Sequence, residues 1–313
     1  MSDEKKSPLV IILGPTAVGK TSLSIALASS FDGEIVSADS RLLYRGMDIG
    51  TAKPTPAEMQ GIPHHLIDVA DPDEIWSLAI YQQEAYNRID GIHSRGKLPF
   101  LVGGTGQYIR SIVEGWHIPP QEPDLALRYV ITSWAEEIGA GGLHKRLERI
   151  DPAAANEIDY RNLRRTVRAL EVIFKTGERF SELRQKQTCR YSPLILGIDH
   201  PRESLYTRID HRVEQMLKAG LVEEVQGLLK AGYAPDLPTL SAIGYAEIIQ
   251  YLQGDLSLAE AVALIKRNTR IFVRRQANWF KPDDERITWF TASPHIEDEM
   301  AAYIRRNLDG IKK

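Results

Sequence analysis

The sequence predicts an α/β fold: a parallel sheet core, an inserted all-helical domain and a helical C-terminal part. Three observations predict it. Short apolar runs alternate with stretches of helical spacing from Leu9 to Gly106, as strand–helix crossovers of a parallel sheet require. A glycine-rich loop, "GPTAVGKT" (Gly14 to Thr21), joins the first apolar run to the first helical stretch. After Gly115 a proline-rich break, "HIPPQEPD", opens a long helical stretch without a strand signal, until "SPLILGID" (Ser192 to Asp199) restores a strand.

Taken in order, Leu9 to Leu13 is short, continuous and β-branched, which reads as a buried strand. Lys20 to Ser29 reads as the helix that the loop feeds. "EIVSADS" (Glu34 to Ser40) is a second strand ending in polar residues, and "HHLIDV" (His64 to Val69) is a third short strand or a loop. Trp76 to Arg95 is helical, and "KLPFLVGGTG" (Lys97 to Gly106) is a strand followed by a glycine turn. Residues 119–190 form the predicted helical insertion, between core segments 1–118 and 191–313. From Arg202 onward the chain is expected to be mostly helical, with "APDLP" (Ala234 to Pro238) separating two helices. There is no internal repeat and no low-complexity tract.

The chain has 313 residues, 43% of them apolar and 26% charged, enough for a substantial core. A net charge of −3 excludes a uniformly basic nucleic-acid coat, so any nucleic-acid site must be a local patch. The single cysteine, Cys189, cannot form an internal disulfide or a Cys-rich zinc site. No stretch reaches the roughly 18–20 apolar residues that span a bilayer. The polar N-terminus "MSDEKKS" reads as a frayed tail without a signal-peptide core, and a soluble, cytoplasmic protein is expected.

The loop Gly14-x4-Gly19-Lys20-Thr21 fits a phosphate-binding pattern in strand–loop–helix context. Its glycines let successive N–H groups turn inward as an anion nest, and the helix N-terminus adds its dipole. Lys20 supplies a mobile positive charge. The Thr21 hydroxyl suits Mg2+, a hard cation that prefers oxygen. Gly14, Pro15, Thr16, Ala17, Val18, Gly19, Lys20 and Thr21 are therefore candidate diphosphate-binding residues. Asp39 and Asp199 both end apolar strands, as a metal-binding acid of a P-loop hydrolase would; a guanine-reading NKxD is absent. Asp39 should face the same cleft as Lys20, because ligands of open parallel sheets sit beyond the strands' carboxyl ends. It could bind magnesium, serve as a general base or simply cap a helix. "VGGTGQY" (Val102 to Tyr108) ends a strand at that edge, and Thr105 could hydrogen-bond a phosphate oxygen. On these residues alone, a P-loop kinase or ATPase acting on a small molecule is the competing reading, and a nucleic-acid module with a vestigial loop is a third.

Charge is concentrated locally. Residues 160–190 hold nine Lys/Arg against three Asp/Glu, and residues 266–281 hold six Lys/Arg and no acid. Arg161, Arg164, Arg165 and Arg168 recur at spacings of three and four, so they could follow a phosphate backbone and position RNA without reading its sequence. In the second patch Arg274, Arg275 and Trp279 could reach RNA, and packing is an equal reading for Trp279.

Together, "GPTAVGKT", "DSRLLYRGMDIGTAKP" (Asp39 to Pro54), "HHLID", "VGGTGQY", "RNLRRTVRALEVIFKTG" (Arg161 to Gly177), "SAIGYAEI" (Ser241 to Ile248) and "RRQANWF" (Arg274 to Phe280) resemble the tRNA dimethylallyltransferases, or isopentenyltransferases. The resemblance runs from residue 9 to about 281, and "YRGMDIGTAKP" is its most specific piece. It implies a P-loop, kinase-like core and transfer of a dimethylallyl group from dimethylallyl diphosphate to the exocyclic amine of the adenosine 3′-adjacent to a tRNA anticodon. It implies that the inserted helical domain grips the anticodon stem-loop, with Arg128 contacting RNA at its start. It assigns Asp39 as the base, Lys20, Thr105 and Arg208 to the leaving diphosphate, with Arg212 beside Arg208 on one helix face. Asp39, Ser40 and Thr105 would meet an extruded purine, and Arg41 and Leu42 would also contact the tRNA. The chain departs from the family pattern at Leu42, where glutamine is usual, at Gln107, where leucine is usual, and at Asn278, where threonine is usual. Leu42 cannot hydrogen-bond a base, which bears on anticodon-loop preference more than on the reaction. A monomer is expected.

Overall fold

A computed structural model describes residues 6–118, 124–183 and 188–312. Part of the proline-rich break and most of the N-terminal tail lie outside the described residues. The described residues form two compact units, one within Met1–Trp76, Tyr81–Val113 and Cys189–Lys313, the other within Ser77–Ile80 and Glu114–Thr188.

The first unit is built on six parallel strands: β1 (Pro8–Leu13), β2 (Gly33–Ala38), β3 (His64–His65), β4 (Leu98–Gly103), β5 (Ser192–Asp199) and β6 (Ile287–Thr291). Their order is β3-β2-β4-β1-β5-β6. Helix α1 (Lys20–Ser30) follows β1, the short α2 (Pro56–Met59) lies between β2 and β3, α3 (Leu78–Ser94) precedes β4 and α4 (Gly106–Val113) follows it. The sequence-predicted strands β1, β2, β4 and β5 are present. The apolar run of β1 is buried on both faces, as a central parallel strand requires. Val10 and Ile12 join one cluster with Leu23 and Leu27 of α1, and Leu9, Ile11 and Leu13 alternate to the opposite face.

Two boundaries differ from the sequence reading. Strand β2 stops at Ala38 rather than Ser40, because the Asp39 carboxylate accepts the Arg41 N–H at 3.0 Å and turns the chain. The part after Arg202 is not wholly helical. It is mostly helical, as expected, through α9 (Arg202–Lys218), α10 (Leu221–Lys230), α11 (Tyr245–Gln253), α12 (Leu258–Gln276) and α13 (Ile296–Lys312), but β6, an edge strand of five residues, lies between α12 and α13. Its "ITWFT" lies between charged and proline-containing stretches, too short to declare a period.

The second unit contains α5 (Leu125–Ile150), α6 (Pro152–Glu157), α7 (Leu163–Thr176) and α8 (Phe180–Leu183). Ile131, Leu143, Leu147, Val167, Leu170 and Ile173 form its core. Helix α5 breaks at Gly139, whose φ of 75° is open to glycine at little cost. Asp151, fully buried, caps α6 through Ala154 N–H at 3.0 Å and takes both the N–H and the hydroxyl of Ser181. One carboxylate thus closes two helix starts.

Candidate functional site

Register explains why distant residues meet. Leu13, Gly103 and Ala38 are side by side at the carboxyl ends of β1, β4 and β2. The phosphate loop, the glycine turn and Asp39 therefore leave the sheet at one edge. Gly103 is required there: a Cβ would lie 2.2 Å from the Ala38 carbonyl oxygen, with no flexible group to yield. Thr105 N–H donates to that same oxygen at 3.1 Å, and its hydroxyl accepts the Ser40 N–H at 3.0 Å. Thr105 is thus tied by hydrogen bonds to Ala38 and Ser40, the residues on either side of Asp39.

These elements line one cavity of about 1040 Å³. Thr16, Ala17, Gly19, Lys20 and Thr21 face it from the loop, and Asp39, Ser40, Arg41, Leu42 and Thr105 from the strand ends. Gly14, Pro15 and Val18 do not line it. The Gly14 and Pro15 carbonyls instead take the Lys20 ammonium at 2.9 and 2.8 Å, and Val18 is buried in the core. Burial lowers the Lys20 pKa to about 8, with Asp39 opposing that shift and Arg212 adding to it. Asp199, the other strand-end acid, is exposed, accepts the His200 N–H and does not line the cavity.

Helix α9 supplies the arginines. Arg208 Nε donates to the Ala17 carbonyl at 2.8 Å, over the loop. Arg212, one turn on, donates to the Thr51 carbonyl at 3.3 Å. Burial lowers its pKa, and Asp39 opposes that shift. Both line the cavity. Beneath Asp39, Tyr81 and Tyr108 stack with centroids 3.6 Å apart and planes 11° off parallel, and Tyr81 donates to the Ser37 carbonyl. Burial first, and the Asp39 charge after it, raise both phenol pKa values, so both rings stay neutral.

Gln276 was not singled out in the sequence. Its Oε1 accepts the Thr16 N–H at 2.9 Å and its Nε2 donates to the Gly104 carbonyl at 3.1 Å, bridging the phosphate loop to the glycine turn. The signal was available: Gln276 continues the Ala261, Ile265, Val273 stripe of α12, and a polar residue on an apolar helix face needs partners. Trp279 packs. It lies against Gly106, where a Cβ would meet its ring at 2.1 Å, and Arg110 sits over its face while donating to its carbonyl.

In the helical unit the candidate RNA-contacting arginines separate into two kinds. Arg128 Nε and Arg168 Nη1 both hold the buried Glu171 carboxylate, at 2.9 and 2.7 Å, and Arg161 is paired with Asp159. Arg164 and Arg165 are exposed and their guanidinium groups pair with no acid among the described residues. In the second patch, Lys266 pairs with Glu214 and Arg270 with Asp210. Arg274 and Arg275 are exposed.

The glycine-rich loop between β1 and α1, with a lysine and two arginines around one cleft and an acid and a hydroxyl opposite, defines a P-loop α/β protein. Residues 42–283 match the IPP transferase family, IPPT. The chain is 49% identical over 302 residues to a tRNA dimethylallyltransferase of Roseiflexus sp. (strain RS-1), covering 96% of this chain and 99% of that protein. It is 45% identical to the tRNA dimethylallyltransferase of Thermomicrobium roseum, covering 97% and 92%. The crystal structure of the full-length tRNA isopentenylpyrophosphate transferase from Bacillus halodurans matches with a TM-score of 0.74 at 40% identity over 98% of both chains. A eukaryotic dimethylallyltransferase acting on tRNA matches with a TM-score of 0.79 at 29% identity, over 96% of this chain and 77% of that one. The chain belongs to the IPP transferase family. Membership disfavours the small-molecule kinase or ATPase. Among the described residues no helix is long and apolar enough to cross a membrane.

Proposed function

We propose that the protein transfers a dimethylallyl group from dimethylallyl diphosphate to the exocyclic 6-amino group of the adenosine 3′-adjacent to the anticodon of tRNA. The observation that carries this reading is that Asp39, Thr105 and the phosphate loop leave one sheet edge into one cavity. An adenine amine is a weak nucleophile, because its lone pair is delocalised into the ring. Asp39 accepts its proton as the carbon–nitrogen bond forms. Asp39 Oδ1 is fixed by the Arg41 N–H, and Oδ2 has no protein partner among the described residues, so one oxygen orients the group and the other is available. Lys20, Arg208, Arg212 and the loop amides neutralise the diphosphate as it leaves.

The donor set suits magnesium. Thr21 lines the cavity, and its hydroxyl is an oxygen donor of the kind magnesium prefers. Thr21 would hold the ion, which takes most of its ligands from phosphate and water. When bound, it adds positive charge to the diphosphate oxygens. The helical unit, through Arg164 and Arg165, grips the RNA backbone of the anticodon stem-loop; a cytoplasmic monomer completes the reading.

The test is incubation with dimethylallyl diphosphate, magnesium and bulk tRNA, followed by nucleoside mass spectrometry for a prenylated adenosine. Asp39→Ala is expected to lower turnover by about 10²–10⁴-fold with RNA binding intact. Near-normal turnover in that variant would remove Asp39 from the mechanism.

A further inference from the structure

The loop from Tyr44 to Pro54 carries no regular element, yet it borders the cavity through Gly50, Thr51 and Ala52. Something must hold it, and a single carboxylate does much of this. Glu224, on α10, accepts the N–H groups of Asp48 at 3.0 Å, Ile49 at 2.7 Å and Gly50 at 3.1 Å. It accepts the Tyr245 hydroxyl at 2.6 Å as well. Three successive backbone N–H groups on one anion make a nest, here filled by the protein's own side chain. The fit is close: a Cβ on Gly50 would lie 2.5 Å from the Tyr245 ring. On the far side of the nest, Lys53 donates to the Tyr44 carbonyl and pairs with Asp48 and Asp68.

The next residue after the nest is the one the site uses. The Thr51 carbonyl takes the Arg212 guanidinium, and the Thr51 hydroxyl donates back to the Met47 carbonyl at 2.6 Å. Arg212 is the arginine whose charge is felt by both Lys20 and Asp39. An arginine carries considerable rotamer freedom, so a fixed acceptor lowers the entropy lost when it meets an anion.

We propose that Glu224 is a positioning residue for the diphosphate site: by filling the Asp48–Gly50 nest it fixes the Thr51 carbonyl, which sets Arg212 against the phosphate loop and Asp39. The inference rests on the reading that the cavity takes a diphosphate. Glu224 is not among the residues lining the cavity, its carboxylate is bonded to Asp48, Ile49, Gly50 and Tyr245, and it acts through Arg212 alone. Glu224→Gln keeps the shape but turns one nest acceptor into a donor facing donors. The loop then relaxes and Arg212 loses its fixed anchor.

The experiment measures the Kd of inorganic pyrophosphate with magnesium, and KM and kcat for dimethylallyl diphosphate, on the full chain below its melting temperature. Glu224→Gln is expected to raise the pyrophosphate Kd and the KM by about 10-fold or more, the scale of a small displacement of a binding group. The decisive readout is non-additivity. In an Arg212→Ala background the Glu224→Gln change should have no further effect on Kd, whereas a merely structural role would add its full effect. Should Glu224→Gln not fold, Tyr245→Phe, which removes one hydroxyl from the carboxylate, is expected to raise Kd about threefold alone and not at all with Arg212→Ala. A folded Glu224→Gln variant with Kd within twofold of wild type, or effects that multiply, would overturn the proposal. Wild type that binds pyrophosphate but prenylates no tRNA would sink the transfer reading and leave this one standing. Wild type that binds no pyrophosphate would end both.

Discussion

Gln276→Leu is the substitution that most directly tests how the site is held. The side chain is 7% exposed, so leucine replaces its volume with little loss of packing. What is lost is two hydrogen bonds, from Thr16 N–H at 2.9 Å and to the Gly104 carbonyl at 3.1 Å. Each group then lacks its protein partner, the Gly104 carbonyl in a buried position and the Thr16 N–H in a half-buried one, at about 1–3 kcal/mol apiece. Leucine recovers some apolar burial, which leaves a net cost of about 2–4 kcal/mol. The two groups belong to the phosphate loop and the turn that carries Thr105, so the loss falls on the alignment of these two halves. At about 1.4 kcal/mol per tenfold, full expression in the transition state lowers kcat/KM by about 30- to 1000-fold. The assay is steady-state prenylation at fixed magnesium, paired with a thermal melt to establish that the variant is folded. A folded variant with kcat/KM within threefold of wild type would show that the loop and turn align without the bridge. Gln276→Glu adds a pH signature. A buried carboxylate facing the Gly104 carbonyl has its pKa raised. Relative to wild type, the contribution of this carboxyl to stability is therefore fullest below the ordinary glutamate pKa of about 4.3 and is lost as the pH rises through the raised value.

Four further outcomes are expected. Because the Lys20 pKa is lowered to about 8, its charge fades as the pH rises through 8, so pyrophosphate affinity should fall above that pH in wild type and stay flat in Lys20→Arg; calorimetric titration from pH 6.5 to 9.5 checks this. For the same lysine the unfolded state holds the proton longer, so folding stability should rise between about pH 8 and 10.5, visible in urea melts. In the helical unit, burial alone would raise the Glu171 pKa, but the hydrogen bonds from Arg168, the Asp124 N–H and Arg128 hold it below the ordinary value. Glu171→Ala should therefore cost about 3 kcal/mol at neutral pH, and wild type should lose the part of its stability that comes from the charged Glu171 as the pH falls below about 4.3 through the lowered pKa, which calorimetric melts would resolve. Arg164→Ala with Arg165→Ala should weaken RNA binding and flatten the slope of log K against log salt by about 1.5; an unchanged slope would move the RNA elsewhere.

How far the sequence carries the site depends on the range of the interaction. The phosphate loop, β1 and α1 are adjacent in the chain, and their spacing alone declares them. Asp39 and Thr105 are 66 residues apart, but each ends an apolar run, and a parallel sheet brings strand ends to one edge. Gln276 and Glu224 escape that logic. Each acts on backbone groups far away in sequence, 260 residues for Gln276 to Thr16 and 176 for Glu224 to Asp48. The stripe of α12 shows that a buried Gln276 needs partners, but a backbone acceptor or donor carries no sequence signal, so only the folded chain shows which groups those partners are. The basic stretches are only partly legible for a related reason: counting charges does not show which cations folding pairs with acids, as it does Arg161, Arg168, Lys266 and Arg270.

Helix α9 shows how that pairing divides function within one element. Arg208 and Arg212 are one turn apart and reach Ala17 and Thr51 in the site. Asp210 and Glu214 are likewise one turn apart, offset by two residues, or about 200° around the helix. They face the other way, onto Arg270 and Lys266 of α12. A single period therefore presents two cations to the cavity and two anions to a neighbouring basic helix. The two faces are coupled through the rotation of α9. Turning the helix to bring Arg208 further over the loop would strip Arg270 and Lys266 of their acids. The pairs at 210 and 214 are thus expected to set the reach of both arginines, and the exposed Arg267, Arg274 and Arg275 are the cations of α12 left for an anionic partner.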